Sequence, residues 1–153
     1  MEYINALRFF GDNSKIHNST FEKCNLLNIV SNNFTMLSNS FINSTDDNYQ
    51  GFVSGNDTKF VDNSVINNSA GFLLWESDYI TIKDNICDNV TGHCFRFIQV
   101  NNSVIKNNKF SNKESYHSLF FEDSNNNSIS NNHFYNTTTT GDTVYVTGDF
   151  NII

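Results

Sequence analysis

The sequence predicts an all-β chain wound as a parallel β-helix, a single-stranded solenoid of six to seven coils with three short strands per coil. Three observations carry this. An eight-residue motif recurs six times at intervals of 20–24 residues. Apolar residues keep fixed offsets within it, alternating as they do on one face of a strand. No segment shows the 3.6-residue apolar spacing of an amphipathic helix.

The six copies are IHNSTFEK (16–23), MLSNSFIN (36–43), FVDNSVIN (60–67), IKDNICDN (82–89), IKNNKFSN (105–112) and ISNNHFYN (129–136). Their first position is always large and apolar: Ile16, Met36, Phe60, Ile82, Ile105 and Ile129. The sixth is apolar again: Phe21, Phe41, Val65, Cys87, Phe110 and Phe134. The fourth is Asn39, Asn63, Asn85, Asn108 and Asn132, with Ser19 in the first copy. A polar corner between two strands of three to five residues needs a residue that accepts positive φ, and Asn does so at modest cost. Stacked in successive coils, these Asn amides are expected to form a structural hydrogen-bonded ladder. In the later copies a third apolar element lies ten and eight residues upstream of the first column: Phe72/Leu74, Phe95/Phe97 and Leu119/Phe121. It recurs as Leu7/Phe9 and Leu27/Ile29, shifted by one residue. Leucine-rich repeats share this period, but the chain has only seven Leu. Stacked strands, about 4.8 Å apart, fit instead.

Composition agrees. The 153 residues suffice for one domain with a real core (1–153), and 15 Phe with 38% hydrophobic residues exclude a disordered polar chain. A net charge of −7 and only two Arg, Arg8 and Arg96, argue against a nucleic-acid partner. Pro is absent and Gly numbers seven, so Asn must make most turns. No 18-residue apolar run exists, so no membrane insertion is expected. Cys24, Cys87 and Cys94 match no metal spacing and read as core or incidental thiols. Nine Asn-x-Ser/Thr sequons are too few in so Asn-rich a chain to carry a glycosylation reading.

The opening MEYINALRFF shows no signal peptide. The final FNII reaches Ile152 or Ile153, where a seventh copy would begin, with no polar cap after it. Both ends read as those of a piece of a longer solenoid or fibre, covered by another copy of the chain or by a neighbouring β-helix domain. STDDNYQGFVSGNDT (44–58) reads as the most irregular coil and a protruding loop, and TTTT (137–140) as an expanded turn.

The I-x-N-N-x-F-x-N pattern, preceded by a strand ending near Ser77 or Ser124, resembles the right-handed parallel β-helix repeat of the pectin-lyase-like superfamily. Its NosD-like or carbohydrate-binding repeat class, found in secreted, cell-surface and phage-tail proteins, is the most similar. The resemblance spans about residues 5–153 and implies a right-handed coil. It also implies that Phe95/Phe97 lie in a first sheet whose outer face commonly carries a substrate groove. It does not reach the enzymes' motifs. The Asp-rich calcium site and paired Arg of pectate lyases are missing. So is the polygalacturonase set, of which Asp46-Asp47 and Gly92-His93-Cys94 are only partial echoes. Copper chemistry, suggested by the class name, would need Met and His clusters, against two Met and four His here.

If the paired apolar residues point inward, the outer face of the first sheet reads Gly71, Leu73, Trp75; then Cys94, Arg96, Ile98; then Ser118, Phe120, Glu122. Glu76, Gln99 and Asp123 follow at the strand ends, and His93 and His117 share a column at the other end. The candidate ligand-binding residues are therefore Trp75, Arg96, Phe120, Glu122, His93 and His117, because sugars stack on aromatic faces and pair with charged groups. His17 and His133 read as plain surface residues. If the patch is catalytic, Arg96, Glu122, Glu76 and Asp123 are the candidates for acid–base work. The bland reading makes Arg96 and Glu122 a surface ion pair. No metal or cofactor is expected. The expectation is a non-enzymatic β-helix module of a surface, secreted or viral tail protein that binds polysaccharide on this face. A polysaccharide lyase or glycoside hydrolase is the first alternative, and a structural spacer or oligomerisation module joined through Trp75, Ile98 and Phe120 is the second.

Overall fold

Short strands that cannot bury a face alone must stack, and in the computed structural model they do so coil upon coil. It describes residues 7–24, 27–44, 49–113, 116–137 and 143–152. The first sheet holds seven strands: Leu7–Phe10, Leu27–Val30, Gly51–Ser54, Phe72–Asp78, Phe95–Asn101, Leu119–Glu122 and Val144–Val146. The second also holds seven: Lys15–His17, Thr35–Leu37, Lys59–Val61, Thr81–Lys83, Val104–Lys106, Asn127–Ser130 and Phe150–Ile152. The third holds six: Thr20–Glu22, Ser40–Ile42, Ser64–Ile66, Ile86–Asp88, Lys109–Lys113 and His133–Thr137. Each strand pairs in parallel with its equivalents one coil away, so the described chain forms six three-strand coils and two strands of a seventh.

The register puts like on like. Ile82 lies opposite Ile105, Cys87 opposite Phe110, and Phe97 opposite Phe121. Aromatic stacks run through the core: Phe97 and Phe121 are 4.1 Å apart at 2°, Phe21 and Phe41 4.9 Å at 5°, and Phe110 and Phe134 5.0 Å at 11°. Eight Phe are no more than 2% exposed. Each is worth about 2–3 kcal/mol against an exposed position, so aromatic columns carry much of this narrow core.

The Asn residues divide into two sets, and here the sequence reading needs correction. Positive φ falls one residue earlier than expected, on the third column of the motif (Asn18, Ser38, Asp62, Asp84, Asn107, Asn131), and on the eighth (Lys23, Asn43, Asn67, Asn89, Asn112, Asn136). The fourth-column residues are not in that region. Asn39, Asn63, Asn85 and Asn108 are buried, and their amides form a continuous ladder with Asn132. Each amide donates to the Oδ1 of the next coil at 2.9–3.0 Å and to a main-chain carbonyl of the coil before, as Asn85 Nδ2 does to Phe60 O at 2.9 Å. Each Oδ1 also accepts a backbone N–H, as Asn85 Oδ1 accepts that of Asn63 at 2.8 Å. The buried corner thus keeps its backbone groups paired without water.

Other expectations are corrected by the same geometry. Gly71, Cys94 and Ser118 are buried at the corner preceding the first sheet, not on its outer face, because the strands begin one residue later. Cys87 and Cys94 are not thiols but a disulfide, with Cα atoms 6.2 Å apart; Cys24 is free. Both side chains face the core across one corner, so the seven-residue spacing closes a loop instead of separating two columns. The coil around 44–58 contains a regular strand, Gly51–Ser54, in register with its neighbours. Gly51 hid it from the apolar pattern: a Cβ there would lie 2.6 Å from the Phe72 ring, so that ring fills the space of both positions. The one-residue shift of Leu7/Phe9 and Leu27/Ile29 arises because later coils carry an extra left-handed residue, Glu76 (φ 46°), Gln99 (φ 54°) or Asp123 (φ 49°). It lengthens the strand as far as Asp78 and Asn101 in two of them. Residues 45–48, 138–140 and Ile153, on which parts of the loop, turn and seventh-copy readings fall, lie outside the described residues.

Two stability outcomes follow. Asn85→Ala strands buried donors and acceptors on Asn63, Phe60 and Asn108, and should cost at least about 3 kcal/mol in urea unfolding. A loss below about 0.5 kcal/mol would mean that the ladder does not hold the corner. The disulfide should contribute about 2–3 kcal/mol for so short a loop. Alkylation of unreduced, unfolded protein should label Cys24 alone, and labelling of all three cysteines would exclude the bond.

Candidate functional site

Side chains on the outer face of the first sheet follow the same register as the core. One row runs Phe52, Leu73, Arg96, Phe120, Tyr145, and the next contains Trp75, Ile98 and Glu122. Arg96 is the hub. Its Nη2 donates to Glu122 Oε2 at 2.8 Å, its Nη1 to the Tyr49 hydroxyl at 3.3 Å, and its Cζ lies 5.2 Å from the Phe120 ring centre. Its Nε is shut off from solvent and has no partner. Burial alone would lower the Arg96 pKa, but the bonds to Tyr49 and Glu122 outweigh it and hold it above the ordinary value. The guanidinium is therefore always charged.

Around it lies an aromatic cluster. His93 and His117 stack at 5.7 Å and 7°, and His93 packs on Phe120 at 4.9 Å and edge-on to Tyr116 at 5.3 Å. Phe120 stacks on Tyr145 at 4.9 Å and 13°. His93 Nδ1 lies 3.3 Å from the His117 carbonyl, a contact that needs the proton on Nδ1. Where the chain turns from the third sheet into the first, a cleft of about 520 Å³ opens, lined by Tyr49, Ser69, Ala70, Thr91, Gly92, His93, Arg96 and Tyr116. Its floor is made of stacked corners, with Gly71 N–H donating to His93 O at 2.8 Å. A Cβ on Gly71 would sit 1.9 Å from the Cys94 carbonyl, so the coils close up here only because that residue is Gly. The Cys87–Cys94 bond spans the segment that supplies Thr91, Gly92 and His93.

The structure thus brings together Arg96, Glu122, Phe120, His93 and His117. Trp75 lies outside the cleft, 41% exposed and edge-on to Phe52 at 5.8 Å. Glu76 and Asp123 are exposed at left-handed corners and do not line the cleft. Among the described residues no group of three or more His, Cys, Asp or Glu could hold a metal ion. His17 and His133 are exposed, and Asp46-Asp47 lie outside the described residues. The sequence reading missed Tyr49, Tyr116, Phe52 and Tyr145. The last two share columns with Leu73 and Phe120, so the repeat register contained them. Tyr49 and Tyr116 sit on corners that the motif does not cover.

The Arg96–Glu122 pair is partly exposed, at 30% and 42% of the two side chains. A double-mutant cycle with Arg96→Ala and Glu122→Ala should give a coupling of about 0.5–1 kcal/mol. A coupling of about 3 kcal/mol would mean that the pair is a buried structural element instead.

The profile of the family described as "Right handed beta helix region" matches residues 5–153. A search of curated proteins found no match.

Proposed function

The chain belongs to the right-handed β-helix family, and from that premise we propose that it is a non-enzymatic, glycan-binding module of a surface, secreted or viral tail protein. The observation that carries the reading is the cleft beside the first sheet, where two Tyr, a His and an Arg converge and from which aromatic rings continue over Phe120 and Tyr145. Sugar rings present apolar C–H faces and a rim of hydroxyls. A wall of flat aromatics with a few fixed donors and acceptors fits both. Arg96, already paired with Glu122, supports binding over chemistry, as do the candidate acids Glu76 and Asp123, which lie away from the cleft. The buried Cys87–Cys94 bond supports an oxidising compartment and hence an extracellular, cell-surface or virion location.

A second reading, an oligomerisation module, draws on Phe10, Val30 and Trp75, all exposed on the first-sheet face. A lyase or hydrolase would declare itself by turnover of whatever binds.

A glycan-array screen with the wild type, Phe120→Ala and Trp75→Ala separates these readings. Specific binding that falls by about tenfold or more in Phe120→Ala, the equivalent of one lost aromatic contact of about 1.4 kcal/mol, is expected. Trp75→Ala should have the smaller effect, because Trp75 packs on Phe52, whereas Phe120 packs on Arg96 and His93 of the cleft. A blank array from folded protein whose mass rises with concentration would replace this reading with the oligomerisation module.

A further inference from the structure

Resting on the glycan reading, we infer that the cleft selects neutral sugars and discriminates against uronates and other acidic glycans. Among the described residues that line it, Arg96 is the one permanent cation, and a carboxylate of the chain, Glu122, already holds it. Both terminal nitrogens have partners, Glu122 Oε2 at 2.8 Å and the Tyr49 hydroxyl at 3.3 Å. The third nitrogen, Nε, is closed to solvent, and the Phe120 ring covers one side of the guanidinium at 5.2 Å from Cζ. Recognition of a carboxylate by Arg gains its strength from two parallel N–H donors presented together. To obtain them here, an acidic ligand would have to displace Glu122, or take the remaining N–H of each terminal nitrogen and share the guanidinium with it. On either route its charge lies beside the Glu122 carboxylate, a like-charge contact that costs affinity.

The wider field points the same way. Glu76, within the strand Phe72–Asp78, and Asp123, just past the strand Leu119–Glu122, are exposed one coil to either side of the Arg96 strand, and the chain carries a net charge of −7. Apart from His93, the remaining polar side chains of the cleft, Tyr49, Tyr116, Ser69 and Thr91, carry hydroxyls, a group that can both donate and accept. Such groups match the vicinal hydroxyls of a hexose, not an anion. Arg96 acts here by being neutralised: it fixes Tyr49 and Phe120 in place and adds no net charge.

The test uses pairs of ligands that differ only at C6. Glucose, galactose and mannose tetrasaccharides are titrated against the corresponding uronate tetrasaccharides by calorimetry, above neutral pH and at about 0.15 M ionic strength. At least one neutral member should bind about tenfold or more tightly than its acidic partner, the size of one unfavourable charge contact near a surface. Glu122→Gln should narrow that ratio by strengthening uronate binding, because it frees Arg96 without removing bulk. A uronate that binds more tightly than its neutral partner to the wild type overturns this inference and leaves glycan binding standing. A ratio unchanged in Glu122→Gln, with the variant folded, also overturns it. Absence of binding by every member, with the array blank as well, removes the glycan reading and this inference together.

Discussion

The fold depends on how a chain that turns three times per coil pairs its backbone at the corners. A strand of three residues ends almost as soon as it begins, and the polar groups at its ends face the core. The Asn39-to-Asn132 ladder meets this need with one residue type. Its carbonyl oxygen accepts the N–H of the coil before, and its amide reaches both the next Asn and a main-chain carbonyl. No other side chain carries a separate donor group and acceptor group on so short a stem. Buried Ser residues do a smaller version of the same work at another corner, where Ile80 and Val100 donate to Ser103 and Ser124. Because these corners are satisfied internally, the solenoid has no need of Pro, little of Gly, and few charges.

Positive φ is the second half of that solution, and it explains the rest of the Asn. Of 21 described non-Gly residues with positive φ, 12 are Asn and four are Asp. These are the residues whose short polar side chains tolerate the left-handed region. At Asn43, Asn67 and Asn89 they stack outside the core, with Asn89 Nδ2 donating to Asn67 Oδ1 at 2.9 Å. Neighbouring Asn in the motif therefore have separate duties: one bends the chain, and the next seals it.

That division is why the sequence conveyed the fold well and its corners less well. The first, sixth and fourth columns were legible because a parallel stack repeats each environment at each coil, and the same residue type returns. Which of two adjacent Asn takes the left-handed turn was not legible, since both satisfy the pattern. The strand Gly51–Ser54 was hidden for a steric reason, as Gly51 yields its space to Phe72. The disulfide was hidden for a topological one, because Cys87 belongs to a column and Cys94 to a corner, and linear spacing does not tell that the two meet. For the site, strand alternation sufficed to place Arg96, Phe120 and Glu122 side by side. It had no hold on Tyr49 and Tyr116, which enter from corners where the repeat leaves sequence free.

A solenoid made of equivalent coils has equivalent faces, so a compact ligand is held at one coil and not the next only where the repetition fails. In this chain the failures cluster. The extra residue at Glu76, Gln99 and Asp123 sets three consecutive coils apart from those before them. The same stretch of the first sheet carries Trp75, Arg96 and Phe120 on its outer face, with Tyr145 on the next strand. The corner feeding it is narrowed by Gly71, cross-linked at Cys87–Cys94 and flanked by Tyr49 and Tyr116. The cross-link is not what stacking requires, since the coils before it have none among the described residues, whereas Gly71 is what lets the coils close up at that corner. Their effect is to hold Thr91, Gly92 and His93 at a set distance from Arg96. Rigidity at that corner is what the proposed binding wall would require, because a loop ordered only on contact gives back affinity.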